Sequence, residues 1–191
     1  MPKGKKVSLR FPNSDDFAEF TALNKSSRKF HRNLVNPPTD AKSFADFVKR
    51  NELETDCCFL ICRNEDGAIV GGMALSQIFR KAFQNAYLGY YLAEKYTGKG
   101  YMTEAVALVL RFAFKELKLH RIEANVQPEN KASIAVLQRC GFTREGFSPK
   151  YLKIGGRWRD HERFAIIAED LRKGKLINSP VQKKCYPKMN I

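Results

Sequence analysis

Between Cys57 and Leu117 the hydrophobic period of this chain changes, and that change restricts its fold more than any other feature. "CCFLICR" and "AIVGGMALSQIF" are apolar runs of strand length separated by the turn residues "NEDG", a hairpin signal. "NAYLGYYLA" reads as a further strand. After it the apolar residues recur at helical spacing, at Ala105, Leu108, Val109, Phe112 and Ala113, through about Leu117. A hairpin beside a strand–helix unit implies a mixed sheet. A purely parallel dinucleotide-binding sheet would need more regular alternation.

The flanks extend this pattern. "VSLRF" reads as a first strand, ended by Pro12, with Asn13 and Ser14 capping a helix that carries Phe17, Phe20, Ala22 and Leu23. The basic, aromatic connector "NKSSRKFHRNLVNPP" leads to Thr39, the expected cap of a helix bearing Phe44, Phe47 and Val48. Downstream, "HRIEANV" reads as a strand. Pro128, Glu129 and Asn130 open a helix with the stripe Ser133, Val136, Leu137 and Cys140, which Gly141 stops. "FTREGF", "YLKI" and "WRDHERFAII" read as closing antiparallel strands, the last two joined at Gly155 and Gly156. The predicted class is α/β (α+β), a mixed and mostly antiparallel central sheet with helices on both faces. One domain is predicted over residues 1–171, followed by a basic tail over 172–191.

The formal charge of +14 favours an anionic partner, yet much of it lies at the termini. The stretch from Arg172 to Ile191 holds six Lys/Arg and no acid, and "MPKGKKVSLR" holds four and none. The five cysteines are odd in number and irregular in spacing, and four lie in apolar runs, which fits reduced buried thiols in a cytoplasmic protein. His31, His120 and His161 lack metal spacing, so structural roles and no metal site are expected. No apolar run reaches membrane-spanning length and none follows the basic start, which argues against a membrane role or a signal peptide.

The stretch "EKYTGKGYMTEA" links the fourth strand to the long helix. A helix mouth presents N–H groups without internal partners, and glycines let an anion approach them closely. A dinucleotide fingerprint would need a third glycine where Thr103 stands, and a P-loop would not place Gly100 after its lysine. On residue types alone, a tight turn and a phosphate cradle both remain open.

The wider context resembles the GNAT N-acetyltransferase superfamily, whose acetyl-CoA loop reads Gln/Arg-x-x-Gly-x-Gly/Ala. Lys95, Gly98 and Gly100 occupy those places, Lys95 departing from the usual residue. With "YLGYYLAEKYTGKGYMTEA", "LHRIEANVQPENKASIAVLQRCGFTREG" and "YLKIGGRWRDHERFAII", the chain resembles the RimJ/RimL-like ribosomal-protein alanine N-acetyltransferases from about Val7 to Ala168. The resemblance implies a gap between the fourth and fifth strands that admits the pantetheine arm of acetyl-CoA, the cosubstrate. Backbone groups near Tyr91 and Leu92 would meet that arm, and Gly98 to Met102, with Tyr101, would hold the pyrophosphate, Lys95 and Lys99 adding charge. Many family members use a tyrosine as acid where this chain has Leu137. In the ribosomal branch a serine is the proposed substitute, and Ser133 matches it, with Asn130 opening its helix. By itself, Asn130 reads equally as a helix cap and Ser133 as a packed residue. No base is assigned: Leu152 stands where the branch sometimes has a glutamate, and Glu123 reads as a structural ion-pair residue, with Tyr90 and Tyr151 as further candidates. Trp158 is expected to pack in the core or at its rim.

The implied acceptor is a protein N-terminus, with ribosome association through the basic tail and a monomer or homodimer as the assembly. The alternatives are a small-molecule amine acceptor, or a non-enzymatic basic ribosome- or RNA-binding module.

Overall fold

A computed structural model describes residues 1–172, so the basic tail beyond Arg172, with Cys185, lies outside the described residues. Strands β1 (Val7–Arg10), β2 (Cys57–Arg63), β3 (Ile69–Phe79), β4 (Asn85–Leu92), β5 (Arg121–Val126), β6 (Thr143–Ile154) and β7 (Arg157–Ile167) form one sheet. Its order is β1-β2-β3-β4-β5-β7-β6, antiparallel throughout except for β4 and β5. Helices α1 (Phe17–Ser26), α2 (Arg28–His31) and α3 (Ala41–Lys49) lie between β1 and β2. Helix α4 (Tyr101–Lys115) makes the crossover from β4 to β5, α5 (Lys131–Arg139) follows β5, and α6 (Ala168–Arg172) ends the described chain. Among the described residues no helix is long and apolar enough to cross a membrane.

Every residue of β2 from Cys57 to Cys62 is buried, which requires cover on both faces of the sheet. Alternation along the strands supplies two cores. On one face Phe20 of α1 packs against Phe44 and Phe47 of α3 and against Tyr91. On the other, Phe59 stacks with Phe11 and meets Phe112 of α4 edge-on. Tyr90 and Tyr91 are neighbours on β4 and therefore serve opposite faces. Cys57, Cys58, Cys62 and Cys140 are buried free thiols, and burial pushes Cys57 up to about 11 and Cys58 and Cys140 to about 12. They stay protonated and pack as small hydrophobes.

Three local expectations are corrected. The cap of α3 is Asp40 rather than Thr39: its side chain accepts the Ser43 N–H at 2.8 Å, closing a capping box. "FTREGF" and "YLKI" are one strand, because irregular register between Ser148 and Leu152 carries the ladder past Pro149, and Asp160 accepts the Lys150 N–H at 2.7 Å. Trp158 is 60% exposed near the tip of the β6–β7 hairpin instead of packed.

Candidate active site

The stretch that opens α4 takes the conformation that its two glycines permit. Gly98 and Gly100 have φ of 73° and 79°, in the left-handed region where a side chain is strained. Gly100 is the N-cap of α4 and no side chain caps the first turn, so its N–H groups face outward from the positive end of the helix dipole. A Cβ added to Gly98 would meet nothing within 4 Å. The loop therefore has both room and hydrogen-bond donors for a diphosphate.

The cavity that begins at this mouth is produced by the sheet itself. β4 and β5 pair in parallel only over Asn85–Arg121, Ala86–Ile122 and Tyr87–Glu123, then part. Beyond that point β4 stays paired with β3 as far as Leu92–Gly71, and β5 with β7 as far as Val126–Glu162. A cavity of about 790 Å³ runs from the α4 mouth into this opening, with the connector residues Phe30, His31, Leu34 and Val35 on one side and α5 on the other.

Asn130 caps α5, its side-chain oxygen accepting the Ser133 N–H at 3.1 Å. That cap places Ser133 on the cavity wall, where its Oγ lies 2.8 Å from the Tyr90 hydroxyl. Tyr90 also lines the cavity, and burial pushes its phenol above the ordinary tyrosine value, with the Ser133 hydrogen bond opposing. A phenol so placed is a proton donor rather than a base.

Of the residues singled out in the sequence, Tyr91, Leu92, Gly98, Gly100, Tyr101, Met102, Asn130 and Ser133 line the cavity together. Lys95 and Lys99 do not line it. Lys95 lies over the Tyr96 ring at 4.9 Å, and Lys99 borders a neighbouring concavity. Glu123 accepts from Arg121 at 2.9 Å, and Arg121 also binds Glu145, so Glu123 is held in an ion pair. Leu137 is fully buried behind the site.

The structure gives two residues places that the sequence did not fix. Tyr90, named in the sequence only as a candidate base, lines the cavity beside Ser133. His31 is 3% exposed and lines the cavity, with Nε2 2.8 Å from the Leu92 carbonyl oxygen. A carbonyl only accepts, so Nε2 carries the proton and Nδ1, buried without a partner, is the bare nitrogen. Burial holds this imidazole below its ordinary value, against the opposing effects of the Leu92 bond and Glu94. The connector is secured over the opening by further bonds, from the Glu94 N–H to Ser27 Oγ at 3.0 Å and from Gln127 Nε2 to the Asn33 carbonyl at 2.7 Å. Among the described residues no group of three His, Cys, Asp or Glu side chains gathers as a metal site.

Comparison with known proteins agrees with this geometry. The family model described as an acetyltransferase (GNAT) domain matches residues 6–143. A probable N-acetyltransferase of Bacillus subtilis, YjcK, is 39% identical over 178 residues, covering 89% of this chain and 98% of its own. The ribosomal protein uS5-alanine N-acetyltransferase of Escherichia coli is 39% identical over 111 residues, covering 58% of this chain and 57% of its own. Among solved structures, Mycobacterium smegmatis RimJ in complex with CoA-disulfide superposes with a TM-score of 0.81 at 31% identity, over 90% of this chain and 88% of that one.

Proposed function

The chain belongs to the GNAT acetyltransferase family, and within that family we propose that it acetylates the α-amino group at a protein N-terminus. That it is an acetyl-CoA-dependent N-acetyltransferase follows from the family and its relatives. The uS5-alanine enzyme among those relatives supports the choice of acceptor, as does the chemistry of the cavity.

The observation that carries the choice is the scarcity of negative charge. The cavity lining contains one carboxylate, Glu104, and it accepts the backbone N–H groups of Lys5, Lys6 and Val7 at 2.7, 2.7 and 2.9 Å. A polycationic amine would find no free carboxylate there to replace its lost hydration. A protein N-terminus needs none. Its amine has a pKa of about 7.7–8.0, against about 10.4 for a lysine side chain, so a fair fraction is neutral near pH 7.5 without a strong base. This fits a site where His31 is held below its ordinary value and Tyr90 above its own.

Acetyl-CoA supplies an activated acyl thioester when bound. Gly98, Gly100, Tyr101 and Met102 would hold its diphosphate through backbone N–H groups, and the β4 edge near Tyr91 and Leu92 would align its arm. Leu92 is fixed for this by His31, which engages its carbonyl. The Ser133 hydroxyl would donate a proton to the leaving thiolate, with the Tyr90 hydroxyl donating to Ser133 Oγ across their 2.8 Å contact. The proton that the amine nitrogen loses on acylation would return to this pair, so that both hydroxyls end protonated. Asn130 acts through Ser133 by fixing the first turn of α5.

The test is incubation of the full chain with isotopically labelled acetyl-CoA and a mixture of ribosomal proteins, spermidine and lysine-rich peptides, read by mass spectrometry. Label on N-terminal α-amines is expected. Label confined to spermidine or to lysine side chains would overturn the assignment.

A further inference from the structure

Beside the α4 mouth lies a second concavity of about 500 Å³ that the transfer reaction leaves unused. Its walls come from three separate parts of the chain: Lys5 and Lys6 before β1, Arg63 and Asn64 at the β2–β3 turn, and Lys99 with Tyr101 at the glycine loop; Glu65 completes it.

The N-terminal part of that wall is held by design of its backbone rather than by its side chains. The Glu104 carboxylate, in the first turn of α4, accepts three successive backbone N–H groups, those of Lys5, Lys6 and Val7. Gly4 allows the approach, since a Cβ there would lie 2.6 Å from the Glu104 carboxyl carbon. The carboxylate is thus committed to amides and leaves both lysine ammonium groups uncompensated. Lys6 Nζ reaches the Lys99 carbonyl at 3.0 Å, which puts it 3.5 Å from where a Cβ on Gly100 would stand.

More cations crowd the same corner. Arg63, Lys95 and Lys99 lie 5.5, 4.9 and 5.8 Å from the centre of the single Tyr96 ring. Arg63 is balanced by Asp66 at 2.5 Å and Glu65 at 3.7 Å. Among the described residues, Lys5, Lys6, Lys95 and Lys99 have no carboxylate within ion-pair distance. Like charges held together this way repel one another until an anion joins them, and a cleft concentrates their field. The anion they suit is compact and doubly charged, a phosphate monoester.

The two concavities share Lys5, Lys6 and Tyr101, so one ligand can occupy both. Coenzyme A carries the two anionic groups in that relation, a diphosphate and, across one ribose, a 3′-phosphate. We propose that the second concavity seats the 3′-phosphate of coenzyme A, with Lys5 and Lys6 making this enzyme selective for the 3′-phosphorylated carrier. The inference rests on the acetyl-CoA reading above and adds the residues that read the ribose end.

Isothermal titration of the full chain with coenzyme A and with 3′-dephospho-coenzyme A tests it. The wild-type chain is expected to bind coenzyme A at least about tenfold more tightly, from charge-assisted contacts to one phosphate. Lys5→Gln with Lys6→Gln should bring the two ligands to within about twofold, weakening coenzyme A more than the dephospho form, and Lys6→Arg should keep the preference. The side chains replaced are exposed and the bonds to Glu104 come from the backbone, so unfolding midpoints should match. Equal affinity of the wild-type chain for both ligands would overturn the proposal, as would a preference that survives the double substitution. Binding of neither ligand would overturn the acetyl-CoA reading itself.

Discussion

On the proposed mechanism, Ser133→Ala isolates the step in which the leaving thiolate gains its proton. In the structure the Tyr90 hydroxyl has one good partner, Ser133 Oγ at 2.8 Å, and one long contact to the Ser133 carbonyl at 3.4 Å. Removing Oγ leaves a buried hydroxyl with only the long contact, for which the range is about 1–3 kcal/mol. The surviving carbonyl puts the loss near the lower end, about 1 kcal/mol, or about 2–4 °C in unfolding temperature for a chain of this size. The effect on turnover should be much larger, because a positioned general acid contributes about 10²–10⁴ in rate.

Three measurements separate these effects. Turnover with acetyl-CoA and an acceptor peptide should fall about 100-fold in Ser133→Ala, while calorimetric affinity for coenzyme A stays within about twofold. Tyr90→Phe, which keeps the ring and removes the resupplying proton, should cost about tenfold in turnover. If the two hydroxyls act as one relay, the double variant should be no slower than Ser133→Ala alone. The wild-type rate should also show no alkaline decline below about pH 10, since burial keeps the Tyr90 phenol protonated. Wild-type turnover in Ser133→Ala, alongside the expected loss of stability, would reduce the pair to a packing contact and refute the assignment.

Gly98→Ala should cost about 1 kcal/mol of stability from its φ of 73° yet weaken coenzyme A binding at least about tenfold, because the added methyl points where no chain atom stands; calorimetry on the folded variant decides. Glu104→Ala removes the acceptor of three backbone N–H groups, which partly rehydrate, so denaturant unfolding should register a loss of about 1–3 kcal/mol. His31 has a folded pKa below its unfolded value of about 6.5, so the unfolded chain binds more protons in between. Its contribution to stability is therefore full above about pH 6.5 and is lost as pH falls through the folded value; the wild-type midpoint should decline there more steeply than that of His31→Gln.

Features that depend on nearby residues were legible before the fold was known. The change of period from strand to helix placed β2, β3, β4 and α4, and the Asn130 cap followed from an oxygen three residues ahead of the N–H it binds. Reading β6 as two strands went wrong at Pro149, because a residue without an N–H reads as a break and the ladder's detour around it depends on Asp160, which accepts the Lys150 N–H from ten residues further along the chain. Glu104 was legible only as a charge suited to a helix start, since the amides it binds lie 97 to 99 residues earlier. Tyr90 and Ser133 are separated by 43 residues, and their meeting requires the register of β4 and the cap of α5 at once.

The opening itself follows from how backbone polarity is shared out. β4 keeps its ladder with β3 to Leu92, and β5 keeps its ladder with β7 to Val126, so neither strand frays where they part. Each is held by its outer neighbour, and the groups directed inward past Tyr87 and Glu123 lose a partner strand. Amides and carbonyls in such a position need a substitute, and an extended arm bearing its own amides supplies one in the manner of an added strand. The helix mouth stands at one end of the same opening and Ser133 on its wall. On the proposed reading, a ligand long enough to satisfy the strands would be gripped by its anionic end and delivered with its reactive end beside a proton donor, which would make the split sheet both the binding site and the measure of reach.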